Sequence, residues 1–190
     1  TMAHEFLQAA QVLAPSVEDT NKFALETWIE EYGDQLGIAL TDIFGLDVFL
    51  EDFNKDLSEH YAGVRHDSGD PKKFMVEVVG HYLRNGIDPS TKTIVFSDGL
   101  TFEKMKELRD FADSFHGGRV DDLGPINVAF GIGTNLTNDC GYKPLNIVLK
   151  MITCNGKPTV KISDSPGKVM CRDPEYIKQV EEMIKEKLNG

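Results

Sequence analysis

Apolar residues fall along the chain in short runs, each closed by glycine or polar residues and most followed by a segment with helical spacing. Leu36-Gly37-Ile38-Ala39-Leu40 is the first run, and Thr41-Asp42 ends it. Leu46, Phe49, Leu50 and Phe53 then recur at helical intervals, predicting a helix over 46–57. Gly63-Val64 leads into the turn GVRHDSGDP, in which Asp70 can cap a helix that has Pro71 at its first position. Phe74, Val78 and Tyr82 share a face of that helix before Gly86 stops it. Thr93 to Phe96 is again strand-like, ends at Ser97-Asp98-Gly99, and precedes a helix with Phe102, Met105, Leu108, Ala112 and Phe115 on one side. The fourth run, Ile126 to Phe130, ends at Gly131-Ile132-Gly133-Thr134. Such repeated units predict parallel strands with helical crossovers, either an α/β barrel or an open parallel sheet.

The tail has a different rhythm. Leu145 to Thr153 and Pro158 to Ile162 flank Asn155-Gly156, a dipeptide suited to a tight hairpin turn. Asp173-Pro174 then opens a final helix with Ile177, Val180, Ile184 and Leu188 facing inward. No linker marks a domain boundary. The chain opens on Thr1 and enters patterned sequence at once, so a fragment of a longer protein is expected.

Composition narrows the function. With 190 residues, 41% of them hydrophobic, the chain can bury one good core and is marginal for two. A net charge of -11 argues against a non-specific nucleic-acid binder, which needs a basic face. It leaves room for anionic substrates held by a few arginines and backbone N–H groups. Cys140, Cys154 and Cys171 are odd in number and lack a Cys-x-x-Cys spacing, which predicts free thiols, no structural zinc and a cytoplasmic setting. No apolar run approaches the ~18 residues of a membrane span.

The polar residues now acquire a common place. Thr41-Asp42, Arg65 to Asp70, Ser97-Asp98-Gly99 and Gly131 to Thr134 each follow a strand, and ligands of α/β proteins bind at the strand C-terminal edge. Arg65 can grip an anion bidentately, while Asp67 and Asp70 suit sugar hydroxyls or hydrated magnesium. Gly131, Gly133 and Thr134 can cradle a phosphate with backbone N–H groups and one hydroxyl. Asp98 is poised between binding a ribose hydroxyl or a metal and merely capping the next helix. The plainer reading of the turn is a helix cap at Asp70 and an Arg65–Asp67 pair. His60, His66, Asp67 and Asp70 lack the spacing of a transition-metal site. Ser163 to Lys168 is a polar turn from which Lys168 could reach a phosphate.

Taken together these clusters resemble the nicotinate phosphoribosyltransferase family. The matching segments are Thr1-Met2-Ala3-His4-Glu5, Tyr32 through Asp42, GVRHDSGDP, Ile94 through Asp98, Phe130 to Leu136, Lys143 to Asn146, Cys154 to Pro158 and Ser163 to Lys168. They run in family order over almost the whole chain. The resemblance implies the type II phosphoribosyltransferase fold, an irregular, TIM-like parallel α/β barrel. Residues 1–190 would be its C-terminal half as a partial barrel, with 145–168 as a β-hairpin arm, a final helix, and the N-terminal half absent. It also implies a cytoplasmic homodimer that joins nicotinate to 5-phosphoribosyl-1-diphosphate with Mg2+, on the way to NAD. ATP would be hydrolysed through a phosphohistidine. By resemblance His4 is that histidine, with Glu5 orienting it. Arg65 and Asp67 contact the phosphoribosyl donor, Asp98 the ribose, and Gly131, Gly133 and Thr134 the 5-phosphate. Ser68 and Asp70 support them from behind, and no protein metal ligand is assigned.

Two other readings compete. Nicotinamide phosphoribosyltransferase shares the Arg-x-Asp-Ser-Gly-Asp-Pro pattern, but His66 stands where proline is expected, and TMAHE favours the nicotinate enzyme. A catalytically silent sugar-phosphate-binding or dimerisation module is the other. A barrel aldolase would want a lysine at a strand end, and none of the four ends offers one.

Overall fold

The computed structural model describes residues 1–115, 125–138, 140–143, 145, 147–165 and 169–189. The glycine-containing stretch 116–124, together with Lys168, therefore lies outside the described residues.

Four strands pair in chain order as a parallel sheet: β1 (Ile38–Leu40), β2 (Gly63–His66), β3 (Thr93–Phe96) and β4 (Asn127–Phe130). Each of these strands was marked in the sequence by an apolar run or by Gly63-Val64. Parallel neighbours need a crossover, and helices supply it. Two helices, α3 (Leu46–Asp52) and α4 (Lys55–His60), link β1 to β2. The long α5 (Pro71–Arg84) and then α6 (Phe102–Ser114) make the next two crossings. The register sets Leu40 beside Arg65, His66 beside Phe96, and Phe96 beside Phe130, so all four strands finish on one edge. This is an α/β fold with a parallel sheet.

The core lies between the sheet and these helices, with Phe49, Phe53, Tyr61, Tyr82 and Phe96 among its largest fully buried side chains. The expected helix over 46–57 breaks at Phe53-Asn54. The Asn54 side chain accepts a hydrogen bond from the Leu57 amide at 3.0 Å and starts α4. Phe53 remains stacked on Phe49, 4.8 Å between ring centroids, which keeps both helices on one core.

The cap at Asp70 is present, its Oδ1 accepting from the amides of Lys72 and Lys73 at 2.8 and 2.9 Å. Replacing Asp70 with alanine orphans both donors and is expected to cost about 1 kcal/mol. Thermal melts should show a fall of roughly 2–4 °C.

Two helices near the start, α1 (His4–Leu13) and α2 (Thr20–Tyr32), have no counterpart in the apolar pattern. The reason is chemical: the buried face of α1 carries His4, Gln8 and Gln11 beside Leu7 and Ala10. Buried polar residues interrupt the stripe that betrays an amphipathic helix. Gln8 exchanges hydrogen bonds with both the amide and carbonyl of Met151, and Gln11 does the same with Val160. The two amides thus fasten α1 to the tail.

The four-residue α7 (Thr134–Thr137) follows β4, and the tail corrects the hairpin expectation. Asn155 and Gly156 do turn the chain with positive φ, but the strands they join, β5 (Thr153–Cys154) and β6 (Lys157–Pro158), have two residues each. Leu145, Ile147, Val148 and Leu149 are exposed and outside any strand. Residues 161–162 (β7) pair instead with 169–170 (β8), so 145–168 is not one arm. The last helix, α8 (Pro174–Asn189), buries Val180 fully, while Ile177 and Ile184 pack half-buried and Leu188 stays largely exposed. Among the described residues no helix is long and apolar enough to cross a membrane.

Candidate active site

The common strand edge brings the polar clusters together. After β1, the Thr41 hydroxyl donates to the Arg65 carbonyl at 3.0 Å, tying the first two strand ends. After β2, Arg65 donates from Nε to Ser97 Oγ at 2.8 Å and from Nη2 to Asp67 Oδ1 at 2.9 Å. Ser97 Oγ in turn lies 2.8 Å from Asp67 Oδ1, so arginine, serine and aspartate close a small ring across β2 and β3. The plain pairing of Arg65 with Asp67 is therefore present, and the cap at Asp70 with it. Both side chains of the Arg65–Asp67 pair remain partly open to solvent at that edge. The Gly131 amide donates to the Phe96 carbonyl at 2.8 Å, which seats the Gly131–Thr134 bend beside Ser97. Asp98 lines an adjoining cleft of about 310 Å³ with His66, Gly69, Asp70, Leu100 and Lys104.

His4 is not a surface residue. It opens α1, is 6% exposed, and its Nε2 lies 2.9 Å from Asp42 Oδ1 and 3.5 Å from Asp67 Oδ2. The Lys150 ammonium stands 3.4 Å from its Nδ1. A carboxylate on one ring nitrogen and an ammonium on the other select the tautomer with its proton on Nε2 and a lone pair on Nδ1. The partner expected from sequence, Glu5, is displaced by Asp42, 38 residues on.

Asp42 is the hub. It is 1% exposed and takes His4 on Oδ1, with Lys161 Nζ at 2.7 Å and Ser68 Oγ at 2.8 Å on Oδ2. Burial alone would push its carboxyl up. The bonds and charges of His4 and Lys161 outweigh that and hold it well below the usual carboxylate range.

His66 points the other way, into a cage with Phe74 and Phe96, and its Nε2 donates to the Gly69 carbonyl at 3.2 Å. Burial lowers its pKa, and although that bond and the carboxylates of Asp98, Asp42 and Asp67 oppose the shift, they do not reverse it. Neutral and so committed, His66 braces the turn. His60 sits exposed at the end of α4, its ring bonded to the Asp56 carbonyl. Among the described residues, the group that converges is His4, Asp42 and Asp67, whose ligand atoms lie within 4.8 Å of one another.

Sequence reasoning placed Asp42 at the edge but gave it no role, and it missed Lys150, Lys161 and Asp164. The rule that strand ends build sites was the available signal for Asp42. Lys150 and Lys161 carry no local mark, and Asp164, although inside the polar turn from Ser163 to Lys168, has no partner that the turn itself would reveal. Asp164 is exposed as a residue, yet its carboxylate turns inward. Burial pushes it up, the charges of Asp42 and Asp47 add to that, and bonds from the Leu46 amide and Ser68 work against it.

Comparison with known proteins points to one family. The model of the nicotinate phosphoribosyltransferase (NAPRTase) family matches residues 1–188. A nicotinate phosphoribosyltransferase of Bordetella petrii is 51% identical over 178 residues, 93% of this chain and 43% of that protein. One from Cupriavidus necator is 50% identical over 177 residues, with the same shares. The crystal structure of nicotinate phosphoribosyltransferase from Vibrio cholerae superposes with a TM-score of 0.87 at 40% identity, covering 96% of this chain and 43% of that one. A putative nicotinate phosphoribosyltransferase from Saccharomyces cerevisiae gives 0.86 at 35%, covering 97% and 44%. The chain thus spans less than half the length of the curated relatives it matches. These matches do not bear out the expectation of a C-terminal half.

Proposed function

The chain belongs to the nicotinate phosphoribosyltransferase family, and from that membership we propose that it forms the donor side of an active site joining nicotinate to 5-phosphoribosyl-1-diphosphate. Pyrophosphate leaves and nicotinate mononucleotide forms, with ATP coupled through His4. One observation carries the coupled reading: His4 Nε2 lies 3.5 Å from Asp67 Oδ2, so the candidate phosphohistidine and the candidate donor turn are one site.

Departure of pyrophosphate builds positive charge at C1 of the ribose. Asp67 and Asp98, held at adjoining strand ends, favour that charge. Arg65, the Gly131–Gly133 amides and the Thr134 hydroxyl offer donors to the phosphates. In the ATP-driven step, His4 Nδ1 attacks the γ-phosphorus, a P–N bond forms, the P–O bond to ADP breaks, and the Nε2 proton stays with the bond to Asp42. The Lys150 ammonium is close enough to meet the transferred phosphoryl oxygens.

Magnesium fits this edge in one place. Asp42 is saturated by His4, Lys161 and Ser68, whereas Asp67 Oδ2 is a hard oxygen at a partly open carboxylate. Asp67 would hold the ion that arrives with the diphosphate, and the ion would neutralise the leaving group. The same reading takes the four-stranded sheet as part of the type II barrel. It also places the protein in the cytoplasm as a homodimer, and the exposed row of Leu145, Ile147, Val148 and Leu149 is a surface for the second copy.

Calorimetry with magnesium phosphoribosyl diphosphate tests the proposal. The chain should bind it, and Asp67→Asn should weaken binding roughly 10-fold, as expected for loss of a charged contact. Absence of binding, or binding indifferent to that change, favours a silent module. In a parallel arm, incubation with ATP should place phosphate on the wild type and none on His4→Asn.

A further inference from the structure

Segment 159–165 reaches back across the molecule to the donor turn, and one of its residues occupies a slot that two other segments leave open. Asp164 Oδ1 accepts from the amide of Leu46, the first residue of α3, at 2.9 Å. Its own amide donates to Ser68 Oγ at 3.3 Å, and the Gly69 amide donates to Ser165 Oγ at 3.4 Å. Just upstream, the Ile162 amide donates to the Ile43 carbonyl at 2.8 Å, which anchors the segment to the chain leaving β1.

The slot is lined by Gly45 and Gly69, both with positive φ, at +89° and +81°. A Cβ on Gly45 would lie 2.9 Å from Asp164 Oδ1, and one on Gly69 would lie 3.1 Å from Asp164 Cβ. A side chain at Gly45 would displace the Asp164 carboxylate, one at Gly69 would press on its Cβ by a few tenths of an ångström, and either would strain a backbone at positive φ. The contacts then run on in one line. Ser68, which receives the Asp164 amide, gives its proton to Asp42 Oδ2 at 2.8 Å, and Asp42 holds His4 on its other oxygen.

We propose that Asp164 is a positioning residue, a peg that sets the 67–70 turn against α3 so that Asp67 is presented to the phosphoribosyl donor while Ser68 is presented to Asp42. The proposal rests on the functional reading above for the identity of the donor. It does not depend on that reading for the peg itself. The contacts of the Asp164 side chain and amide are with Leu46 and Ser68. Its effect passes through Ser68 and the Leu46 amide.

Two measurements on the 190-residue chain separate these parts. Hydrogen exchange needs no ligand: Asp164→Ala should speed exchange of the Leu46 amide about 10-fold, because a buried N–H loses its charged acceptor. Calorimetry with magnesium phosphoribosyl diphosphate should show roughly 10-fold weaker binding for Asp164→Ala, with a melting temperature close to wild type. Asp164→Asn keeps an oxygen for Leu46 and should rescue both readouts to within about twofold of wild type. Asp164→Ser, too short to reach Leu46, serves in place of alanine should that variant fail to fold. Unchanged exchange at Leu46 overturns the peg. Changed exchange with unchanged donor affinity overturns its role in presenting Asp67. A wild-type chain that binds no donor overturns the functional reading, while the exchange result still decides the peg.

Discussion

Replacing Asp42 with alanine is expected to destabilise the chain by about 3–5 kcal/mol, the usual result of breaking a buried ion pair from one side. The carboxylate is the acceptor for His4, Lys161 and Ser68 together. Without it, the Lys161 ammonium, 7% exposed, stays in the interior with its anion gone. At roughly 2–4 °C per kcal/mol for a chain of this size, melting should fall by about 10 °C or more. Phosphorylation of His4 from ATP should fall sharply in the same variant, because the ring loses the 2.9 Å acceptor for its Nε2 proton and keeps only Asp67 Oδ2 at 3.5 Å.

The pH dependence gives this prediction a sign. Asp42 titrates lower in the folded chain than in the unfolded one, where its pKa is about 3.9. Its contribution is therefore complete above that value and drains away as the pH falls below it. The stability gap between wild type and Asp42→Ala should be widest near neutrality and narrow steadily from about pH 5 to pH 2. Asp164, raised in the folded chain, acts in the opposite sense and favours folding slightly as its carboxyl takes up a proton. Urea melts of both proteins across that range measure the gap. A gap that is small at pH 7, or that widens in acid, removes Asp42 from the centre of the site.

Gly63→Ala should be as damaging for a different reason. Gly63 opens β2 opposite Thr93 of β3, and an added Cβ would lie 1.8 Å from the Thr93 carbonyl oxygen and 2.7 Å from its carbon. No flexible side chain can yield there, since the obstacle is the neighbouring strand's backbone. The strands must separate at the register that lines up Arg65, Ser97 and Asp67. A cost of about 4 kcal/mol or more places this among the exceptional single substitutions. It should appear as a melting point lower by roughly 10 °C or as insoluble protein. A variant melting within about 2 °C of wild type would show that β2 and β3 are farther apart than described.

Legibility differed by element for identifiable reasons. The parallel strands could be read because each apolar run or glycine lead ends in residues that turn the chain, and α5 because Asp70-Pro71 is a local start signal. The helix over 46–57 was read as one because Phe49 and Phe53 keep a common face across the break that Asn54 caps. The helices α1 and α2 went unread because part of what α1 buries is amide and imidazole. Those groups find their partners 38 to 149 residues away, at Asp42, Met151 and Val160.

The amino-acid sequence by itself determined where strands end, which residues sit at those ends, and hence that Arg65, Asp67, Asp98 and the Gly131–Thr134 bend share an edge. These follow from local stereochemistry and from the fixed geometry of strand–helix–strand units. Only the tertiary structure decided that His4 is buried, that Asp42 is its partner, that Lys150 and Lys161 bracket the pair, and that Asp164 holds the turn. Such contacts join residues far apart in sequence, and a charge is stable in the interior only if a complementary one is folded against it. Nothing in the neighbourhood of His4 or Asp164 along the chain encodes which group that will be.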